Sequence, residues 1–159
     1  MMSAAGARRD PLVRPAREED LPRIAAIFNH YVAHTAVTFE TQPRTPAMLP
    51  EWFAQFDARG RHQLLVLEDP EGAPGDPVAG YAHSVRFNPR AAYHRSVMSS
   101  IYLHPDATGR GLGGPLYGTL LARLRATDVH RAYGWVTQPN EASMALHRRL
   151  GFREIGRMH

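Results

Sequence analysis

Three glycines at alternate positions, Gly109, Gly111 and Gly113, stand between an apolar run, Ile101-Tyr102-Leu103, and a stretch of helical periodicity that begins at Gly111. A strand that passes through such a turn into a helix fixes a β–turn–α unit late in the chain, and every other element must be arranged around it. Glycine accepts backbone angles and close approaches that a Cβ forbids. Amide N–H groups at a helix start have no intrahelical partner, and with the helix dipole they hold anions such as a pyrophosphate. Arg110 adds a cation beside them. Two nucleotide-binding readings fail. The dinucleotide fingerprint belongs in the first βα turn of a parallel sheet, with an acidic residue about 20 positions on, whereas this turn comes late and after antiparallel strands. A Walker A loop needs Gly-Lys-Ser/Thr, and the chain has no lysine. A tight turn that holds no ligand stays open as the alternative.

The rest of the chain supplies the sheet for that unit. Val13-Arg14-Pro15 predicts a short first strand. Over 18–32, Leu21, Ile24, Ile27, Phe28, Tyr31 and Val32 recur at helical spacing, with Pro22 tolerable in the first turn. Thr45-Pro46 reads as an N-cap and first helical residue of a second helix to about Phe56, with Leu49, Trp52, Phe53 and Phe56 inward. Strands at 63–68 and 78–85 form a hairpin across the turn-rich stretch 69–77. Further strands are expected at 95–103, 131–137 and from Phe152 to Ile155, with helices over 111–126 and 140–150, the last closed by Gly151. This order predicts an α+β fold, a mixed sheet with helices on both faces.

At 159 residues the chain is expected to be one domain. The absence of cysteine excludes disulfides, Cys-ligated zinc and a Cys nucleophile, and fits a reducing compartment. No apolar run is long enough to span a bilayer. Residues 1–11 are small, polar and basic, without the apolar stretch of a secretory signal, and read as a disordered leader. A cytoplasmic protein is the expectation. The arginines are scattered and form no stripe, so nucleic acid is not an expected partner. With a net charge of +4, a local need for an anionic ligand fits better.

A second segment sharpens the glycine turn. Residues 140–152 open a helix just beyond a strand, with Asn140 as a natural N-cap and Ser143, His147 and Leu150 on one face. Together with Val13-Arg14-Pro15-Ala16, Asn29-His30-Tyr31, Thr38-Phe39-Glu40-Thr41, Tyr102-Leu103-His104-Pro105 and Gly109-Arg110-Gly111-Leu112-Gly113, it makes the chain resemble the GCN5-related N-acetyltransferases, and within them the phosphinothricin/methionine-sulfone/L-amino-acid N-acetyltransferase branch. The resemblance covers nearly the whole chain from Val13. It implies a largely antiparallel sheet with a splayed central strand pair that admits the pantetheine of acetyl-CoA. Backbone groups of Ile101, Tyr102 and Leu103 would pair with the pantetheine amides. Gly109, Arg110, Gly111, Leu112, Gly113 and Gly114 would cradle the pyrophosphate, and Asn140 and Ser143 would lie along the pantetheine arm. A substrate amine would attack the thioester directly, without a covalent enzyme intermediate and without a metal. Phe39, Glu40, Arg90 and Tyr93 match the positions that line the branch's amino-acid pocket. Arg90 suits an α-carboxylate and Glu40 an ammonium. A homodimer is also implied.

The chain departs from the branch pattern at Met98, at Thr108 and in its reach, while His147 is typical of the branch and differs only from acetyltransferases outside it. The branch sets a Glu four residues before the Tyr of the pantetheine strand as proton acceptor, and here that position is Met98. Loss of a general base costs about 10²–10⁴-fold in rate, and water, Glu40 or a nearby His would have to take the proton. The first position of the coenzyme signature, usually Gln or Arg, is Thr108. His147 stands where acetyltransferases outside the branch place a Tyr that protonates the departing thiolate, and catalytic and packing roles are both open for it. The chain reaches only His159, so a single domain over 12–159 is expected to lack the last strand of the family fold. A small-molecule N-acetyltransferase is the leading expectation. A catalytically silent module that binds or senses acetyl-CoA is the alternative that Met98 raises.

Overall fold

The computed structural model describes residues 10–72 and 75–158. The leader expected over 1–11 lies almost wholly outside them. A five-stranded sheet in the order β1-β2-β3-β4-β5 runs through the centre. The strands are β1 (Leu12–Pro15), β2 (Leu64–Glu68), β3 (Val78–Arg86), β4 (Ser96–Leu103) and β5 (Arg131–Tyr133). The pairings from β1 to β4 are antiparallel, and β4 with β5 is parallel. The helices are α1 (Leu21–His34), α2 (Leu49–Ala54), α3 (Gly113–Arg125) and α4 (Glu141–Arg149). The fold is therefore α+β with a mixed, mostly antiparallel sheet.

Strand alternation divides the core into two layers. Leu64 and Val66 of β2 face α1 and α2, where they meet Ile24, Ile27, Phe28 and Leu49. Leu65 and Leu67 face the other way, onto Leu116, Tyr117, Leu120 and Leu124 of α3. The register between β2 and β3 shifts at Leu67 and Glu68, leaving Ala79 as an extra residue, which brings Val78 and Tyr81 onto the same α1 face. Arg14 ties the first elements together. Its Nη1 and Nη2 donate to Asp20 at 2.7 and 2.9 Å, and its Nε to Glu68 at 2.6 Å.

Several boundaries depart from expectation. The first helix opens with a 3₁₀ turn, Glu18–Asp20, before α1. The second is a 3₁₀ turn, Pro46–Met48, followed by α2, and stops short of Phe56. The strand expected over 131–137 ends at Tyr133. The strand expected from Phe152 does not form: residues 152–158 carry no regular structure, and no neighbouring strand supplies a ladder for them.

Candidate active site

The site begins where β4 and β5 part. They pair only through Ser96, Val97 and Met98 against Arg131, Ala132 and Tyr133. Beyond that point β4 continues to Leu103 on its β3 partner alone, while the chain after Tyr133 turns away. A wedge opens beside Ser99, Ser100, Ile101, Tyr102 and Leu103, so the expected splay is present.

A buried side-chain chain closes the vertex of the wedge. The Ser99 hydroxyl donates to the Tyr133 carbonyl at 3.1 Å and lies 2.8 Å from the Tyr117 hydroxyl. That hydroxyl is 3.4 Å from His147 Nε2. His147 Nδ1 sits 2.8 Å from the Ser143 carbonyl, which can only accept, so the network assigns the proton to Nδ1 and a lone pair to Nε2. Burial lowers the pKa of His147, against a smaller rise from the Ser143 bond, and so favours the neutral ring. Burial likewise pushes Tyr117 up to about 12, opposed by its bond to Ser99. A Cβ on Gly134 would stand 2.8 Å from His147 Nε2, so that position has room only for glycine.

The glycine turn meets the wedge from the side. Gly109 and Gly111 have φ of 73° and 75°, the left-handed region that disfavours a Cβ. Helix α3 starts at Gly113, two residues later than the periodicity predicted. A Cβ on Gly113 would lie 3.1 Å from Leu146 of α4 and 3.8 Å from Ile101 of β4. The turn, the open strand and α4 thus converge, and three segments that the sequence singled out become one place. Asn140 caps α4, its Oδ1 accepting from the Ser143 amide at 3.1 Å. Thr108 spends its hydroxyl on the Pro105 carbonyl at 2.8 Å. Arg110 does not lean over the turn. Its guanidinium folds back onto the buried carboxylate of Asp69 at 2.5 Å, with Glu71 at 3.7 Å.

On the α1 face of β4, Tyr102 packs edge-on to Phe28 and stacks with Tyr81. Strand alternation sets Met98 and Ser100 on the same face, opposite Val85 and His83. Tyr31 donates to the Leu103 carbonyl at 2.6 Å. The loop between α1 and α2 bridges toward the wedge. Thr137 Oγ1 reaches the Val37 carbonyl at 3.3 Å, and Asn29 clamps Arg44 through its carbonyl and its amide at 2.9 and 2.8 Å. Phe39 adopts a φ of 54° and is 78% exposed. Burial raises the pKa of Tyr102, Arg44 opposes that rise, and Glu40 adds to it, which places Glu40 and Arg44 within electrostatic reach of the same hydroxyl. Arg90 and Tyr93 sit on the turn before β4, where Tyr93 packs on Phe87 and Phe87 stacks on Tyr133 at 4.4 Å. Among the described residues no hydrogen bond or ion pair joins Arg90 to Phe39 or Glu40.

Sequence reasoning missed Ser99, Tyr117, Asp69 and Arg44. Tyr117 carried a signal, since it shares helical spacing with Leu120, Leu121 and Leu124. Asp69 read as a turn residue, and only the fold shows its carboxylate to be 2% exposed. Among the described residues no group of three or more His, Asp or Glu is placed to hold a metal, and no helix is long and apolar enough to cross a membrane.

The acetyltransferase (GNAT) family model matches residues 24–152. An N-acetyltransferase of Streptomyces griseus is 45% identical over 147 residues, which cover 92% of this chain and 76% of that protein. A phosphinothricin N-acetyltransferase of Streptomyces coelicolor is 43% identical over 144 residues, 91% of this chain and 82% of that protein. The crystal structure of a phosphinothricin acetyltransferase from Sinorhizobium meliloti in complex with AcCoA superposes with a TM-score of 0.83 at 32% identity, covering 92% of this chain and 76% of that one.

Proposed function

Since the chain belongs to the acetyltransferase (GNAT) family, we propose that it transfers the acetyl group of acetyl-CoA to the amine of a small amino acid or analogue of the phosphinothricin or methionine sulfone/sulfoximine type. The observation that carries this is the meeting of the wedge, the left-handed glycine turn and the capped start of α4 at one point. Acetyl-CoA fits that arrangement. A Cβ built on Gly109, Gly111 or Gly114 would meet nothing within 4 Å, so the turn leaves open space for a pyrophosphate. The backbone of Ile101, Tyr102 and Leu103 beside the wedge suits the pantetheine amides, and Asn140 and Ser143 suit the arm beyond them. Bound there, the coenzyme supplies an activated acetyl thioester.

The chain's own groups supply the rest. A backbone N–H near Leu103 polarises the acetyl carbonyl. Tyr31 holds the Leu103 carbonyl and so fixes that stretch of strand. Glu40 draws in the substrate ammonium, beside Phe39, with Arg90 and Tyr93 at the far side of the pocket. Met98 accepts no proton, so Glu40 or solvent takes the one that the amine sheds, and the CoA thiolate expelled as the C–S bond breaks takes its proton from solvent. His147 acts here as a positioning residue, because the nitrogen it turns to the vertex carries a lone pair. Named acetyltransferases aligned over nine-tenths of the chain favour the enzyme over a silent coenzyme-binding module. By the same family reading the protein works as a cytoplasmic homodimer, and sedimentation at micromolar concentration checks the oligomer.

The test is thiol release from acetyl-CoA with a panel of amines: phosphinothricin, methionine sulfone, methionine sulfoximine and the common amino acids. Amine-dependent release with an N-acetylated product supports the proposal. Tight coenzyme binding with no turnover on any amine contradicts it.

A further inference from the structure

Arg110 lies between the two left-handed glycines, the least restrained stretch of the turn. Its side chain leaves the turn toward the β2–β3 hairpin and ends on Asp69. Asp69 is itself held at four points. Its amide donates to the Pro77 carbonyl at 2.8 Å, its carbonyl accepts from Gly72 at 2.9 Å, and its Oδ1 accepts from the Glu71 amide at 3.0 Å. Its Oδ2 takes Arg110 Nη1. The carboxylate is 2% exposed and needs a cation, because a buried charge without a partner is strongly unfavourable. Among the described residues, the other arginine lining the hollow of about 150 Å³ between hairpin and turn is Arg23, already engaged by Asp76 at 3.3 Å and the Val78 carbonyl at 3.1 Å, and the one histidine there, His104, turns its Nδ1 to the Asp106 amide at 3.2 Å. If Arg110 swung out to a phosphate, Asp69 would be stranded.

We propose that Asp69 is a positioning residue for coenzyme binding: it keeps Arg110 turned away from the cradle when the pyrophosphate is bound, and so holds Gly109 and Gly111 in the left-handed conformation that the cradle requires. The inference rests on the acetyl-CoA reading of the turn. It reverses the role expected of Arg110, from a charge beside the phosphates to an anchor behind them. It also fixes the sign of a substitution. Asp69→Asn removes a negative charge near an anion site, and if Arg110 were a phosphate clamp competed for by Asp69, the change would tighten the coenzyme. If Asp69 positions the turn, the same change weakens it.

The experiment measures binding of acetyl-CoA and of S-acetylpantetheine, which has the thioester arm and no pyrophosphate, to the wild type, Asp69→Asn, Arg110→Gln and the double variant. Wild-type binding of acetyl-CoA tests the underlying reading separately. The expected result is that each single change weakens acetyl-CoA about tenfold, that the double variant is no worse than either, as for residues acting as one unit, and that S-acetylpantetheine is unaffected. KM for acetyl-CoA rises with kcat little changed. Tighter acetyl-CoA binding by Asp69→Asn, additive losses, no loss, or equal weakening of both probes overturns the proposal. A crystal structure of the wild type with CoA decides the matter even if Asp69→Asn does not fold. Arg110 still on Asp69 upholds the inference, and a guanidinium moved onto a phosphate overturns it.

Discussion

Met98 and His147 are the two side chains at which the proposed chemistry is most open to test. Met98 shares a strand face with Ser100 and Tyr102 beside the wedge, and under the proposed function a carboxylate there would face the incoming amine. Met98→Glu is expected to raise kcat/KM for the best amine by about ten- to a hundredfold, since a placed general base contributes about 10²–10⁴-fold. Steady-state kinetics with a single amine read this directly, and unchanged or lower kcat/KM counts against the assignment of the face. His147 presents its lone pair to Tyr117 and its proton to Ser143. His147→Gln is therefore expected to raise KM for acetyl-CoA while leaving the shape of the kcat pH profile intact. Disappearance of a limb from that profile would instead make His147 a proton donor. Part of this was readable from the family resemblance, which sets a Glu at the position of Met98 and, outside the branch, a Tyr at that of His147. Met98 and His147 stood out because their positions demand chemistry, whereas Ser99 and Asp69 stood out only once the fold had buried them.

Elements were legible to the extent that local periodicity decides them. Helix α1 shows an unbroken apolar stripe from Leu21 to Tyr31, and it lies where that stripe predicts. The failures occur where tertiary pairing decides. Residues 134–137 have strand-like composition, but β4 has diverged by then and no ladder is available, so β5 ends at Tyr133. Residues 152–155 fail for the same reason. The parting of β4 and β5 is capped by Ser99, whose hydroxyl satisfies the Tyr133 carbonyl that a longer ladder would have paired. Ser99→Ala is expected to destabilise the fold by about 1–3 kcal/mol, the cost of taking a partner from the buried Tyr117 hydroxyl and from the part-buried Tyr133 carbonyl. Denaturant unfolding measures it, and a change below about 0.5 kcal/mol, the usual range of a neutral surface substitution, would deny the cap its role.

Across the whole molecule, two buried groups make stability depend on acid. Burial, with Arg44 adding to it, pushes His83 down to about 3 from an unfolded value of 6.5. Below 6.5 the unfolded chain takes up a proton that the folded chain refuses, so stability falls as pH drops from 6.5 toward 3. Burial raises the carboxyl of Asp20, but the bonds from Arg14 and the Arg17 amide outweigh it and leave it below its unfolded 3.8. Its contribution is present above that value and is lost as pH falls through the folded one. Denaturant midpoints are expected to fall between pH 7 and 5, and His83→Gln is expected to make that fall shallower. An equally steep fall in the variant would shift the cause to other groups, such as His62 and His147, which burial also lowers. The fold class was legible at this scale because strand order and the late β–turn–α unit allow few arrangements. The placing of Val78 and Tyr81 in one layer was not, because it depends on the bulge at Ala79, and neither were the buried carboxylates of Asp20 and Asp69, which depend on the arginines that tertiary folding brings to them.

The central claim is that the glycine turn and the wedge form one site for acetyl-CoA, and calorimetric titration of acetyl-CoA into the wild type and a Gly111→Val variant tests it most directly. Valine cannot hold the φ of 75° found at Gly111 without strain. Saturable binding to the wild type, weakened at least tenfold in a variant that stays folded, is the predicted result. No binding to the wild type, or binding indifferent to the substitution, would contradict the account.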